Sequence, residues 1–177
     1  ESTLALTFFD LAWVNAGAVE RVFFYHLPHS TSYFFDSILP NLKSFLSLAL
    51  QQFYPLAGKI CHPLDKYEIH YADGDSVPFT VAEYEADFED IYGSHARDIN
   101  VLPPLVPQLP KSDDGRVPLL ALQVTVFPNQ GAAIGVHSRM RRLELHAVHV
   151  FLGLDMRAVQ SLGGGRSVAG LRQEYDC

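Results

Sequence analysis

An α/β fold, with a mixed sheet covered by helices, is the architecture that this chain of 177 residues predicts. Three observations carry that expectation. Tyr33 to Tyr54 holds a one-sided apolar stripe of helical period, Pro118 to Phe127 is short and nearly all apolar, and Arg21 to Leu27 is rich in β-forming residues and stops at Pro28. A long helix with one apolar face must bury it against something, and the two strand-like runs supply the surface.

Taken in order, Leu4 to Val14 (LALTFFDLAWV) is apolar and aromatic and reads as a strand. Arg21 to Leu27 (RVFFYHL) reads as a second strand leading into the helix. In the helix Phe35, Ile38, Leu39, Leu42, Phe45, Leu46, Ala49, Leu50 and Phe53 recur at steps of three and four, so Ile38, Leu42, Phe45, Ala49 and Phe53 are expected to be buried. Ser30, Thr31 or Ser32 is placed to cap its N-terminus, and Pro40 marks a kink or the true start. Pro55 and Gly58 end it at about Tyr54, the glycine being free to take a positive φ.

Beyond Gly58, residues 60–62 are extended at best. Glu68 to Ala72 alternates as an exposed strand does, and Asp73-Gly74-Asp75 is turn chemistry before Val77 to Glu83, which predicts a hairpin. Ala86 to Ser94 predicts a short helix around Phe88, Ile91 and Tyr92. Pro103, Pro104, Pro107 and Pro110 exclude regular structure from the next stretch, with Leu105 and Val106 left to pin it to the core. Pro118 to Phe127 is the best buried strand, and Pro128-Asn129-Gln130-Gly131 turns it into a second, Ala132 to Val136. Leu143 to Phe151 reads as a short helix, and Gly163-Gly164-Gly165 breaks the remainder of the chain.

Composition bounds the function. At this length roughly two thirds of the unfolded surface can be buried, and 48% hydrophobic with 19% charged residues is ordinary for a globular domain. A net charge of −7 and a pI near 5.5 disfavour nucleic acid or an anionic membrane as partner. No apolar run approaches the ~20 residues that span a bilayer, and no basic segment of a signal peptide opens the chain. Cys61 and Cys177 form no framework or zinc pattern, which fits a reducing cytoplasm. A monomer is expected. Charge changes character at His137: six of the nine arginines lie from there to Cys177 against four acids, giving this tail +2 and leaving −9 before it, where all four lysines lie. The domain reading is therefore 1–136 for the fold and 137–177 for a divergent tail, partly disordered after Gly163.

No site declares itself from chemistry alone. His146 and His149 are spaced as two ligands on a helix but lack a third, so no metal is expected. Gly163-Gly164-Gly165-Arg166 lacks the Lys and Ser/Thr of a phosphate loop and reads as linker. His26 and His29 flank Pro28 at a strand end, where a surface role outweighs catalysis. Ser138 beside His137 is no triad, because no nucleophile elbow surrounds it. Glu83, Glu85, Asp87, Glu89 and Asp90 read as a solvated acidic face.

Five stretches nevertheless resemble the plant BAHD acyltransferases, and among them the anthocyanin and phenolic-glucoside malonyl and aromatic acyltransferases. They are LTFFDLAWV (Leu6 to Val14), RVFFYHLP (Arg21 to Pro28), ILPNLKSFLSLALQQFYPLAGK (Ile38 to Lys59), PLVPQLP (Pro104 to Pro110) and LLALQVTVFPNQGAAIGV (Leu119 to Val136). The resemblance implies a chloramphenicol-acetyltransferase-like two-layer α/β fold, of which this chain holds part of the N-terminal domain. It also implies transfer of an acyl group, malonyl or hydroxycinnamoyl, from an acyl-CoA co-substrate to a hydroxyl of a plant phenolic or anthocyanin glucoside. No other cofactor is implied. Members are more than twice as long and work in a channel between two such domains, so the chain is expected to be truncated and inactive. The alternative is a non-catalytic module of the same fold that binds a metabolite or a full-length relative.

The family's His-x-x-x-Asp motif comes directly after the strand matched by Ala132 to Val136, its His acting as the general base on the acceptor hydroxyl. Here no His has Asp four residues later. His137 meets Arg141 at that distance and stands only as a weak candidate, and the Asp-Phe-Gly-Trp signature is absent, so no catalytic residue is carried over. Read one base later, the codons of Ser138 to Val150 give Cys at the Met140/Arg141 junction where ATG is followed by CGN, and permit Asp, Gly, Ser, Ser, Ser after it, much like the family's run behind its His. The expectation is therefore a frameshift, natural or introduced in reading the gene, rather than an evolved tail.

Overall fold

The computed structural model describes residues 1–8, 10–12, 17–62, 66–96, 98–109, 115–139 and 174–176. Among them the strands form two sheets. The larger has the order β5-β7-β8-β2-β9 and the smaller β1-β4-β3-β6. β2 (Val19–His26), β7 (Leu120–Phe127), β8 (Gly131–Ser138) and β9 (Glu174–Asp176) pair antiparallel, while β5 (Phe79–Glu83) runs parallel to β7, so the large sheet is mixed as expected. In the smaller, β1 (Ser2–Ala5), β4 (Glu68–Tyr71), β3 (Lys59–Cys61) and β6 (Val117–Pro118) are all antiparallel. The expected single sheet is thus two, and residues 60–62 contribute to a strand.

β7 is buried along its whole length because both faces of the sheet are covered. On one face Leu122, Val124, Ile134, Val136 and Phe23 meet Ile38, Leu42, Leu46 and Ala49 of the long helix. On the other, Val22, Phe24, Phe127 and Ala133 meet Phe88 and Ile91 of a short helix and Leu102, Leu105 and Val106 of the proline-rich segment. The tight turn into β8 is carried by Asn129, whose φ of 60° lies in the left-handed region.

The long helix begins at Ser30, whose Oγ accepts from the Tyr33 amide at 3.3 Å. A π turn, Phe34–Ile38, then precedes α1 (Leu39–Gln52). Pro40 has no N–H to give to residue 36, and its ring crowds that carbonyl; one wide turn just before it absorbs the mismatch. The extra residue in that turn shifts the apolar phase. Phe34 is buried and Phe35 is 44% exposed, the reverse of what a uniform period of 3.6 predicts. Ile38, Leu42 and Ala49 are buried, whereas Phe45 and Phe53 are half-buried. After Gln52 a 3-10 turn, Tyr54–Ala57, ends the element, and Gly58 is extended rather than left-handed. Its lack of a side chain serves another need, since a Cβ there would stand 2.8 Å from the His70 carbonyl oxygen on β4.

Two other expectations are corrected. The Leu4 to Val14 strand stops at Ala5, because Thr7 and Asp10 exchange side-chain and backbone hydrogen bonds in the reciprocal manner of a helix cap, and residues 10–12 are helical. Residues 13–16 lie outside the described set. The Asp73–Gly74 turn exists, with Gly74 at φ 95° and Asp75 accepting from Ala72, but it joins no hairpin. β4 stays in the small sheet, and the chain crosses to the large one, where β5 pairs with β7. Alternation identifies a strand but not its partner. The short helix is present as α2 (Phe88–Tyr92), capped by Asp87, and the proline-rich stretch makes two 3-10 turns, Ile99–Val101 and Pro103–Leu105. The expected helix at Leu143 to Phe151 and the break at Gly163 lie outside the described residues.

Candidate functional site

His137 is placed by the register of three strands. On β8 it faces Glu20 of β2 on one side and Ala121 of β7 on the other. Because Val136 points to the long helix, the alternation of a strand sends His137 to the opposite face, beneath the proline-rich segment. Two neighbours bring that segment so close. Gly135 leaves the room, since a Cβ there would fall 1.9 Å from the Leu105 carbonyl oxygen, and Gln123 ties the segment down through Nε2 donating to the Pro104 carbonyl at 2.8 Å and to Thr125 Oγ1 at 3.0 Å.

The His137 side chain is 12% exposed. Its Nδ1 lies 3.2 Å from Glu20 Oε1, an ion-pair distance if the ring is charged, yet makes no hydrogen bond. The Pro107 carbonyl accepts from the ring, so in the neutral tautomer the proton sits on Nε2. Burial pulls the pKa of His137 below its ordinary value. Glu20 and the Pro107 carbonyl pull the other way, Arg139 adds to the depression, and the net direction is down. A neutral imidazole is the form a general base needs, but here its proton is committed to Pro107 and its free nitrogen faces a carboxylate. Arg139 completes the group, with a buried Nε that has no hydrogen-bond partner and an amide bonded to the Leu119 carbonyl.

The other candidates scatter. His26 is exposed at the far end of β2, 3.6 Å from Glu89 and edge-on to Phe88 and Tyr92. His29 lies against Tyr33. Ser138 is fully buried on the helix side, away from the His137 ring. In the acidic run Asp87 caps α2 and Glu89 meets His26, so both have local structural work. Among the described residues no three His, Cys, Asp or Glu side chains are placed to hold a metal ion. His146, His149 and Gly163 to Arg166 lie outside those residues. Sequence reading took Pro107 only as a breaker of regular structure and did not single out Glu20 or Gly135. Gln123 carried a signal, being with Thr125 one of two polar residues in an otherwise apolar strand, and Glu20 has none, because only strand pairing sets it against His137.

A family model described as the Transferase family matches residues 1–141. Phenolic glucoside malonyltransferase 1 of Arabidopsis thaliana is 50% identical over 139 residues, covering 77% of this chain and 29% of its own length. An anthocyanin 5-O-glucoside-6'''-O-malonyltransferase of Salvia splendens is 42% identical over 140 residues, covering 75% and 30%. Among solved structures, vinorine synthase shares 25% identity at a TM-score of 0.52 over 69% of this chain and 29% of its own. TRI101 of F. graminearum, complexed with ethyl coenzyme A, gives a TM-score of 0.62 at 11% identity over 88% and 39%, a likeness of fold. The chain spans about 30% of the length of the curated relatives it matches.

Proposed function

The chain belongs to the Transferase family, that of the BAHD acyltransferases, and from that membership we propose that its fold serves acyl transfer from an acyl-CoA to a hydroxyl of a phenolic or anthocyanin glucoside. The observation that carries this reading is the 40–50% identity to enzymes named for malonyl or coumaroyl transfer to such glucosides. Malonyl and hydroxycinnamoyl are the acyl groups it favours.

The same proposal holds that this chain, as it stands, does not turn over. A glucoside hydroxyl is a weak nucleophile until a base takes its proton, a contribution of ~10²–10⁴ in rate. The sequence has no His with Asp four residues on. His137, the histidine nearest that place, points beneath the proline-rich segment with both ring nitrogens facing protein groups.

Incubating the purified chain with malonyl-CoA or coumaroyl-CoA and a phenolic or anthocyanin glucoside, with product monitored by mass spectrometry, tests the reading. Acyl transfer is expected at background. Turnover above background that disappears in a folded His137→Ala variant overturns it and makes His137 a working base.

A further inference from the structure

A groove of about 530 Å³ opens between α1, from Lys43 onward, and the segment joining β4 to β5. That size falls within the range of small-molecule sites, roughly 300–1,000 Å³. It is separate from His137, which lies on the opposite face of the large sheet. Leu46, Ala57 and Val77 form its buried floor. Its walls are the rings of Tyr54, Tyr71 and Phe79, with Tyr54 edge-on to Tyr71 at 5.3 Å and 41% exposed.

Among the described residues two charged side chains line the groove, and their states differ. Asp75 stays ionised with its charge offset: Lys59 stands 3.0 Å away and the Ala72 amide donates to it, so although burial pushes its carboxyl up, these partners hold it below the ordinary value. Lys43 instead faces the ring of Phe79, its Nζ 5.9 Å from the centroid. Among the described residues the groove therefore presents one cation that is not paired with a carboxylate, beside aromatic walls, in a chain whose net charge is −7. An aromatic anion can place its charged group on the ammonium while its ring packs against the aromatic walls beside it.

We propose that this groove binds a planar aromatic anion, an aryl carboxylate or sulfonate, with Lys43 taking the charged group and Phe79, Tyr54 and Tyr71 the ring. Charge complementarity selects the anion and the ring walls select a flat body over an aliphatic one.

The test uses 8-anilinonaphthalene-1-sulfonate, whose fluorescence rises in such a site, titrated into the full chain. Saturable one-to-one enhancement is expected with a dissociation constant on the order of 10–100 µM, what ordinary ligand efficiency allows a probe of this size. Reversing the charge in Lys43→Glu should weaken it by at least about fivefold, and filling the groove in Ser47→Trp, at an exposed helix position, should abolish it. Both variants should keep the wild-type circular dichroism and urea midpoint. The uncharged analogue N-phenyl-1-naphthylamine should bind more weakly than the sulfonate. No enhancement, enhancement unchanged in folded Ser47→Trp, or equal binding of the charged and uncharged probes overturns the proposal.

Discussion

His137 shows what a single residue contributes when strand pairing, and not its own chemistry, decides its surroundings. Its folded pKa is depressed mainly by burial, so folding favours the neutral ring. Its share of stability is fully present above the unfolded value of 6.5 and is lost as pH falls through the lower folded value. In His137→Gln that titration is gone. Urea midpoints measured between about pH 7.5 and 5 should fall more steeply for the wild type than for the variant; parallel curves would refute the assignment. Gly135 makes the complementary case. A methyl group at that position would collide with the Leu105 carbonyl, a backbone group that no rotamer change can move aside, so Gly135→Ala should destabilise by on the order of 1–3 kcal/mol or more. An unchanged urea midpoint would show that the segment gives way. Neither environment was legible in the sequence, where Gly135 looks like any strand glycine and Glu20 lies more than a hundred residues from its partner.

At the scale of elements, the long helix was legible and its phase was not. The three-and-four spacing predicts a stripe through Ile38, Leu42 and Ala49, which is buried, but the π turn before Pro40 swaps Phe34 for Phe35. Leu42→Ala should cost ~2–5 kcal/mol, because Leu42 is 3% exposed between helix and sheet. Leu48→Ala, at a position 50% exposed on the same helix, should stay within ~0.5 kcal/mol. Denaturant unfolding of the two variants side by side checks the orientation of α1, and equal losses would contradict it. The missed element, the supposed hairpin of β4 with β5, failed for a physical reason: its turn is local chemistry, whereas the choice of β7 as partner for β5 is made by hydrogen bonds to a strand some forty residues on.

For the molecule as a whole, the two sheets differ in cover. The large sheet is wrapped on both faces by apolar clusters, while the small one rests on Ile60, Ile69 and Leu119 with Leu6 and Tyr67 at its margin. Local opening is governed by how much apolar contact must be broken. Amide hydrogen exchange should therefore be slowest in the central strands β7 and β8 and faster in β1 and β4. Exchange in β4 as slow as in β7 would mean that the small sheet opens only with the whole. No helix among the described residues is long and apolar enough to cross a membrane.

By itself the sequence determined that this is an α/β chain with a long one-sided helix, a buried central hairpin and a proline-rich cover, because those features are written in local periodicity and turn chemistry. It also determined the family, through five ordered stretches, and the absence of a His-x-x-x-Asp motif, which is a matter of spacing alone. The tertiary structure decided that the strands divide into two sheets, that β5 joins β7 in parallel, and that His137 faces Glu20 under Pro107. Those are contacts between residues distant in the chain. They are set by which faces must be buried together, and no window along the sequence contains both partners.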